Sequence, residues 1–199
     1  MKTILRYFFS ALIVLMVMGC ASAGKDFGYT KRSGLVVGKT TQNDAEQLLG
    51  TPFKSSTVSN ADGDFQVLRY AYAQADLTGS RARVLIIEFK NNLLNAHIYN
   101  SGFSEDSTDF KIEALPQIIR GVSNKTDVAR IMGEPTGKAH CPSSIIDFKT
   151  ICENGTEVWV WVYTSKSKGL NTMTMKSRSI KLAFDSNGVT TNIESSVDN

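Results

Sequence analysis

The chain has 199 residues, 42% of them hydrophobic and 21% charged, an ordinary globular composition that excludes a low-complexity polymer. Its formal net charge of +3 falls to +1 once the basic residues of the N-terminal segment, Lys2 and Arg6, are set aside. So small a surplus speaks against nucleic-acid binding, which needs Lys and Arg gathered on one face.

Residues 1–19 read as a signal peptide. Lys2 and Arg6 precede an apolar run from Tyr7 to Met18, too short to span a bilayer, which takes about 20 apolar residues. The run ends in Val17-Met18-Gly19-Cys20, a small residue directly before a cysteine. This resembles the lipobox of bacterial lipoproteins and implies acylation of Cys20; an ordinary secretory signal is the competing reading. By the same resemblance, Ala21 in place of an aspartate implies the periplasmic face of the outer membrane in a Gram-negative bacterium. Residues 20–33 then form a lipid-anchored tether, expected to be loose.

From residue 34 the chain repeats itself. The stretch GKTTQNDAEQLLGTP (Gly38 to Pro52) returns 83 positions later as GVSNKTDVARIMGEP (Gly121 to Pro135). Both read as a hydroxyl cap, two helical turns, a terminating glycine and a proline. Ala45, Leu48 and Leu49, and again Val128, Ile131 and Met132, form the apolar stripe. Leu68, Tyr70 and Tyr72 alternate as a strand, as do Trp159, Trp161 and Tyr163. Each copy then closes with a strand–turn–strand unit, turning at Asn91-Asn92 and at Asn187-Gly188, residues that take positive φ cheaply. These observations divide the chain into repeat 1 (34–100), a polar, acidic linker (101–112) and repeat 2 (113–195). The expected fold is α+β: two tandem modules, each with short helices packed on a three- to four-stranded antiparallel sheet.

Three cysteines occur. With Cys20 assigned to lipid, Cys141 and Cys152 form an even pair in an oxidising compartment and are expected to be disulfide-bonded. A metal site of His140, Cys141 and Cys152 makes a poor tetrahedron, because two of its ligands are adjacent. No hydrolase elbow, zinc-helix motif or phosphate loop is present, and the two histidines are His97 and His140. No catalytic residue, metal or cofactor is expected. His97, flanked by Ala96 and Ile98, reads as a surface or half-buried strand residue, and Glu105, Asp106 and Asp109 as a solvated linker.

The second copy, RGVSNKTDVARIMGEP followed by EVWVWVY and SIKLAFDSNGVTTNIES, resembles the SmpA/OmlA (BamE-like) outer-membrane lipoprotein family over about 80 residues. Two such units in tandem are similar to the β-lactamase inhibitor protein fold. The resemblance implies a non-catalytic, lipid-anchored module that binds an envelope protein, with outer-membrane assembly as one setting. Alternatives are an inhibitor-type binder of an enzyme and a lipoprotein that binds a small ligand or lipid. The candidate partner surface is the aromatic set Trp159, Trp161, Tyr163, Tyr70 and Tyr72, since aromatic residues dominate binding hot spots. A hairpin loop from Ser165 to Arg178 carries Lys166, Lys168, Lys176 and Arg178, with Lys181 nearby. Those charges are candidates for contact with anionic lipid headgroups.

Overall fold

The computed structural model describes residues 21–76, 79–106, 108–146, 151–153, 155–168 and 173–197; the signal segment and Cys20 lie outside the described residues. The described chain forms nine strands: β1 (Ala21–Gly24), β2 (Lys54–Asn60), β3 (Gly63–Asp76), β4 (Gly79–Lys90), β5 (Leu93–Ser101), β6 (Gly137–His140), β7 (Glu157–Lys168), β8 (Met173–Phe184) and β9 (Thr190–Val197). Three short α-helices accompany them, α1 (Tyr29–Arg32), α2 (Gln42–Leu49) and α3 (Lys125–Met132), with two 3-10 helices at Ser104–Asp106 and Ile112–Gln117. Among the described residues no helix is long and apolar enough to cross a membrane.

The expectation of two tandem helix-on-sheet modules is corrected by the topology. All nine strands belong to one antiparallel sheet in the order β1-β3-β4-β5-β6-β7-β8-β9, with β2 also pairing along β3. The two halves fuse because β5 and β6, which would otherwise be bare edges, pair through Ala96 with Ala139, His97 with Lys138 and Ile98 with Gly137. An unpaired edge leaves a row of amide and carbonyl groups unsatisfied, and fusion removes two such rows. Gly137 permits the approach, since a Cβ there would lie 2.6 Å from the His97 carbonyl oxygen.

The repetition seen in the sequence appears as repeated local geometry. Each eight-residue helix starts in a reciprocal capping box, Thr41 with Asp44 on α2 and Asn124 with Asp127 on α3. Each ends at a glycine of positive φ, Gly50 (87°) and Gly133 (76°). The hydroxyls one position earlier, Thr40 and Ser123, do not cap. They accept from the backbone N–H of Val36 and of Ile119, four residues back, and so fold the approach loop. That loop is tied to the sheet in the same way twice: Gly38 N–H donates to the Leu94 carbonyl, and Gly121 N–H to that of Thr190.

One face of the sheet carries the helices over two apolar clusters. The first gathers Phe27, Leu35, Ala45, Leu49, Leu68, Tyr70, Leu85, Ile87 and Phe89. The second gathers Phe110, Ile118, Val128, Met132, Trp159, Trp161, Ile180, Leu182 and Phe184. Burial of Phe27 shows that residues after position 20, expected to be a loose tether, are partly built into the core. Segment 101–112 likewise differs from a solvated linker, because Asp106 is buried against Arg83 and Tyr99.

The opposite face is covered over part of its extent by the loop that follows β6. Cys141 and Cys152 are disulfide-bonded, as the even cysteine pair suggested. Ile146 and Ile151 of this loop pack on Ala96, Ala139, Val158, Val160 and Ala183. Its outer reach is pinned by Glu88, a fully buried carboxylate that accepts from the Ser144 N–H at 2.6 Å and from Asn95 Nδ2 at 2.7 Å. Asn95 also donates to the Pro142 carbonyl, joining β5 to the loop.

Candidate functional site

Successive side chains of a strand alternate between the two faces, and residues in register share one. The register therefore maps the face opposite the helices. Beyond the disulfide loop it presents Arg69, Ala71 and Ala73 on β3, Val84 and Ile86 on β4, and Ile98 and Asn100 on β5. It continues through Val162 and Thr164 on β7, Ser177, Ser179 and Lys181 on β8, and Glu194 on β9. Val84 is 38% exposed; Ile86, Ile98 and Val162 are half-buried. Ile98 and Val162 pack against the edge of the disulfide-loop cluster, and exposure increases away from it, toward Ala73 and Val84. From β3 to β9 it extends about 30 Å at the usual strand spacing.

The centre of this half-face, from Ala71 and Val84 to Ile98 and Val162, is small and apolar, and its flanks are polar and charged. Arg69 is tied to Ser56 on β2 and Lys181 faces Glu194 on β9. Asn100 Nδ2 donates to Thr164 Oγ1 at 3.0 Å, bridging β5 to β7 past the short β6. Such a surface offers contact area on a sheet support.

A second feature lies on the helix-bearing face, over the β5–β6 junction. A cleft of about 510 Å³ separates the two helical covers. Leu35, Val36, Val37 and Pro135 form its apolar wall; Arg32, Ser33, Glu134, Lys138, Glu157 and both histidines form the rest. His97 is only 4% exposed, a correction to its reading as a surface or half-buried residue, and its Nδ1 has no hydrogen-bond partner among the described residues. Burial, reinforced by the charges of Arg32 and Lys138, pushes its pKa down to about 3. His140 lines the same cleft, its ring 3.1 Å from where a Cβ on Gly38 would sit. Sequence reasoning treated the two histidines apart; the pairing of β5 with β6 is what brings them together.

No family model matches the chain, and no curated protein does. Among solved structures, a crystal structure titled "putative beta-lactamase inhibitor protein" from Streptococcus mutans aligns with 87% of this chain and 98% of its own. The identity is 18% and the TM-score 0.48. At that level the likeness carries no conclusion about fold or function, and the SmpA/OmlA resemblance has no matching family model behind it.

The aromatic candidates lie on the helix-bearing face, within the core. Trp159 (7% exposed), Trp161 (1%) and Tyr70 (3%) are buried, while Tyr163 and Tyr72 are partly buried at the edges of their clusters. Trp159 packs on Phe184 and donates its indole N–H to Glu157. Tyr70, its hydroxyl pushed up to about 12 by burial and by Glu46, has no hydrogen-bond partner for that hydroxyl among the described residues.

Much of the basic hairpin is paired strand and not loop, with Lys166 opposite Met175 and Lys168 opposite Met173. The side chains of Lys166 and Lys168 lie outside the described residues. Lys176 is exposed. Arg178 is bonded to Asp109 and lies over the rings of Phe110 and Tyr163, which makes it a fastener of segment 101–112.

Proposed function

We propose that this chain is a non-catalytic, lipid-anchored envelope protein that binds a folded protein partner through the open half of its sheet. The observation that carries the reading is the array that runs from Ile98 and Val162, at the edge of the disulfide-loop cluster, out to Ala71 and exposed Val84, part-exposed β-branched and small side chains on one sheet. Its low charge suits the apolar surface of another protein better than a nucleic acid or a lipid headgroup layer. Inhibition is the form this binding takes if the partner is an enzyme. Envelope assembly is the form it takes if the partner is structural.

A photo-crosslinking residue at position 84 is expected to give one discrete adduct in cells, and the same residue at exposed Arg130 on α3 none. Val84→Asp is expected to lower recovery of that partner at least tenfold without loss of folding, since the side chain is already 38% exposed. Equal adducts from both positions, or none from position 84, would sink the reading. Purified adduct partner then separates the two forms: an enzyme would lose activity when the protein is added. The anchor, proposed from Val17-Met18-Gly19-Cys20, predicts fatty-acid labelling of the wild-type chain that disappears in Cys20→Ala.

A further inference from the structure

We propose that the cleft over the β5–β6 junction binds a small organic carboxylate, with Arg32 and Lys138 as its counter-charges and the His97 ring at its base. The site is separate from the open half-face and does not rest on the protein-binding reading. Its volume, about 510 Å³, is within the usual range for small-molecule sites, and such sites pair an apolar wall with a few convergent polar groups. Here the apolar wall is Leu35 to Val37 with Pro135.

The electrostatics favour an anion. Arg32 and Lys138 are the charges that act on His97, and both disfavour a proton there. The carboxylates of the lining are already engaged or turned outward. Glu157 accepts from Lys125 Nζ at 2.5 Å and from the Trp159 indole at 2.6 Å. Glu134 is 68% exposed and stands 3.5 Å from Lys138, a loose contact that a better-placed carboxylate can replace. Arg32 is set by donation of Nη1 to the Pro135 carbonyl at 2.6 Å, which bridges the two halves of the chain and fixes the guanidinium at the cleft. The His97 Nδ1 is itself buried and has no partner among the described residues, so the ring serves as a neutral floor beneath the cleft and the two cations hold the carboxylate. Because β6 lies between β5 and β7, the positions of His97, Lys138 and Trp159 are locked in one register row, so the floor of the site is built on strands while its apolar wall comes from the loops at 35–37 and 134–135.

The full chain in non-ionic detergent, labelled with ¹³C at histidine Cε1, gives two resonances because it has two histidines. Titration at pH 7 with sodium butyrate is expected to shift both in a saturable manner. Its dissociation constant is expected to be at least tenfold lower than those of butanol and butylammonium. Lys138→Gln, at a side chain 33% exposed, is expected to weaken butyrate at least fivefold with the spectrum otherwise retained, and Lys138→Arg to restore it. The proposal is overturned by an absence of saturable shift, by equal binding of butanol or butylammonium, by unchanged affinity in Lys138→Gln, or by inorganic phosphate binding more tightly than butyrate.

Discussion

Replacing Arg83 with alanine is expected to destabilise the fold by about 3–5 kcal/mol, the cost of stripping a buried charge of its partner. Arg83 sits on β4 and is 5% exposed. Its Nε donates to Asp106 Oδ2 at 2.7 Å, its Nη2 to Glu105 at 2.9 Å and its Nη1 to Asp26 at 2.7 Å. The guanidinium also lies 3.9 Å over the Phe103 ring. Asp106, 3% exposed, further accepts from the hydroxyls of Tyr99 and Ser101. Alanine at position 83 therefore leaves a carboxylate in the interior with only two hydroxyl donors.

Asp26 and Glu105 are 52% and 59% exposed, so Asp26→Ala is expected to cost less than about 1 kcal/mol. Arg83→Ala combined with Asp106→Ala should cost less than the sum of the two, because each single change strands the other charge. Urea unfolding of the four proteins checks this, and a loss below about 1 kcal/mol in Arg83→Ala would show that the network is not a structural centre. Burial alone would raise the Asp106 carboxyl, but the hydrogen bonds from Arg83, Ser101 and Tyr99 together with the Arg83 charge outweigh it and hold the group low. A carboxyl held low in the fold takes its proton more readily when unfolded. Its contribution is thus complete above about pH 4 and is lost as pH falls through the folded value.

What the sequence disclosed and what it withheld divide along the range of the interactions. Features set within a few residues were legible: the terminating glycines at 50 and 133, the positive-φ turn at Asn91 and Asn92, and the strand alternation around Trp159 and Trp161. Which residue would cap each helix was not legible, because Thr40 and Ser123 also offer a hydroxyl but spend it on the loop behind them, and Thr41 and Asn124 cap instead. Features set by distant partners were not legible. Pairing of β5 with β6 is made by backbone groups, which carry no residue signature, so one sheet was read as two. Asp106 stands in a polar run and acquires its burial from Arg83, 23 positions earlier. His97 reads as a strand residue by its neighbours, yet its burial comes from loop residues near position 35 and from β6. The aromatic row was visible, but which face the helices would cover was not.

Acid is expected to weaken the fold from about pH 6.5 downwards, well before the carboxylates titrate, through His97 alone. The ordinary histidine value is 6.5, and in the fold burial followed by the charges of Arg32 and Lys138 pushes it down to about 3. The unfolded chain therefore takes up this proton first, and the stability from a neutral His97 is complete above pH 6.5. Below that it is lost at up to about 1.4 kcal/mol per pH unit until the folded value is reached. By pH 4.5 the loss amounts to roughly 2–3 kcal/mol, a large share of the stability of an ordinary domain.

The other charged or titratable groups around the cleft are Glu134, Glu157 and His140, and the first two are paired with lysines. Urea midpoints at pH 7.5, 5.5 and 4.5 should decline in the wild-type chain and stay level in His97→Gln, which keeps a donor and an acceptor but cannot titrate. The Asp106 contribution begins to fall only below about pH 4, so the two acid effects occupy separate windows. A decline of equal slope in His97→Gln would assign it to another group. A carboxylate seated in the cleft would supply the imidazolium with the counter-charge that Arg32 and Lys138 deny it. Saturating butyrate should then flatten the wild-type slope between pH 6.5 and 5.5, where it is still a carboxylate, while butanol leaves it unchanged.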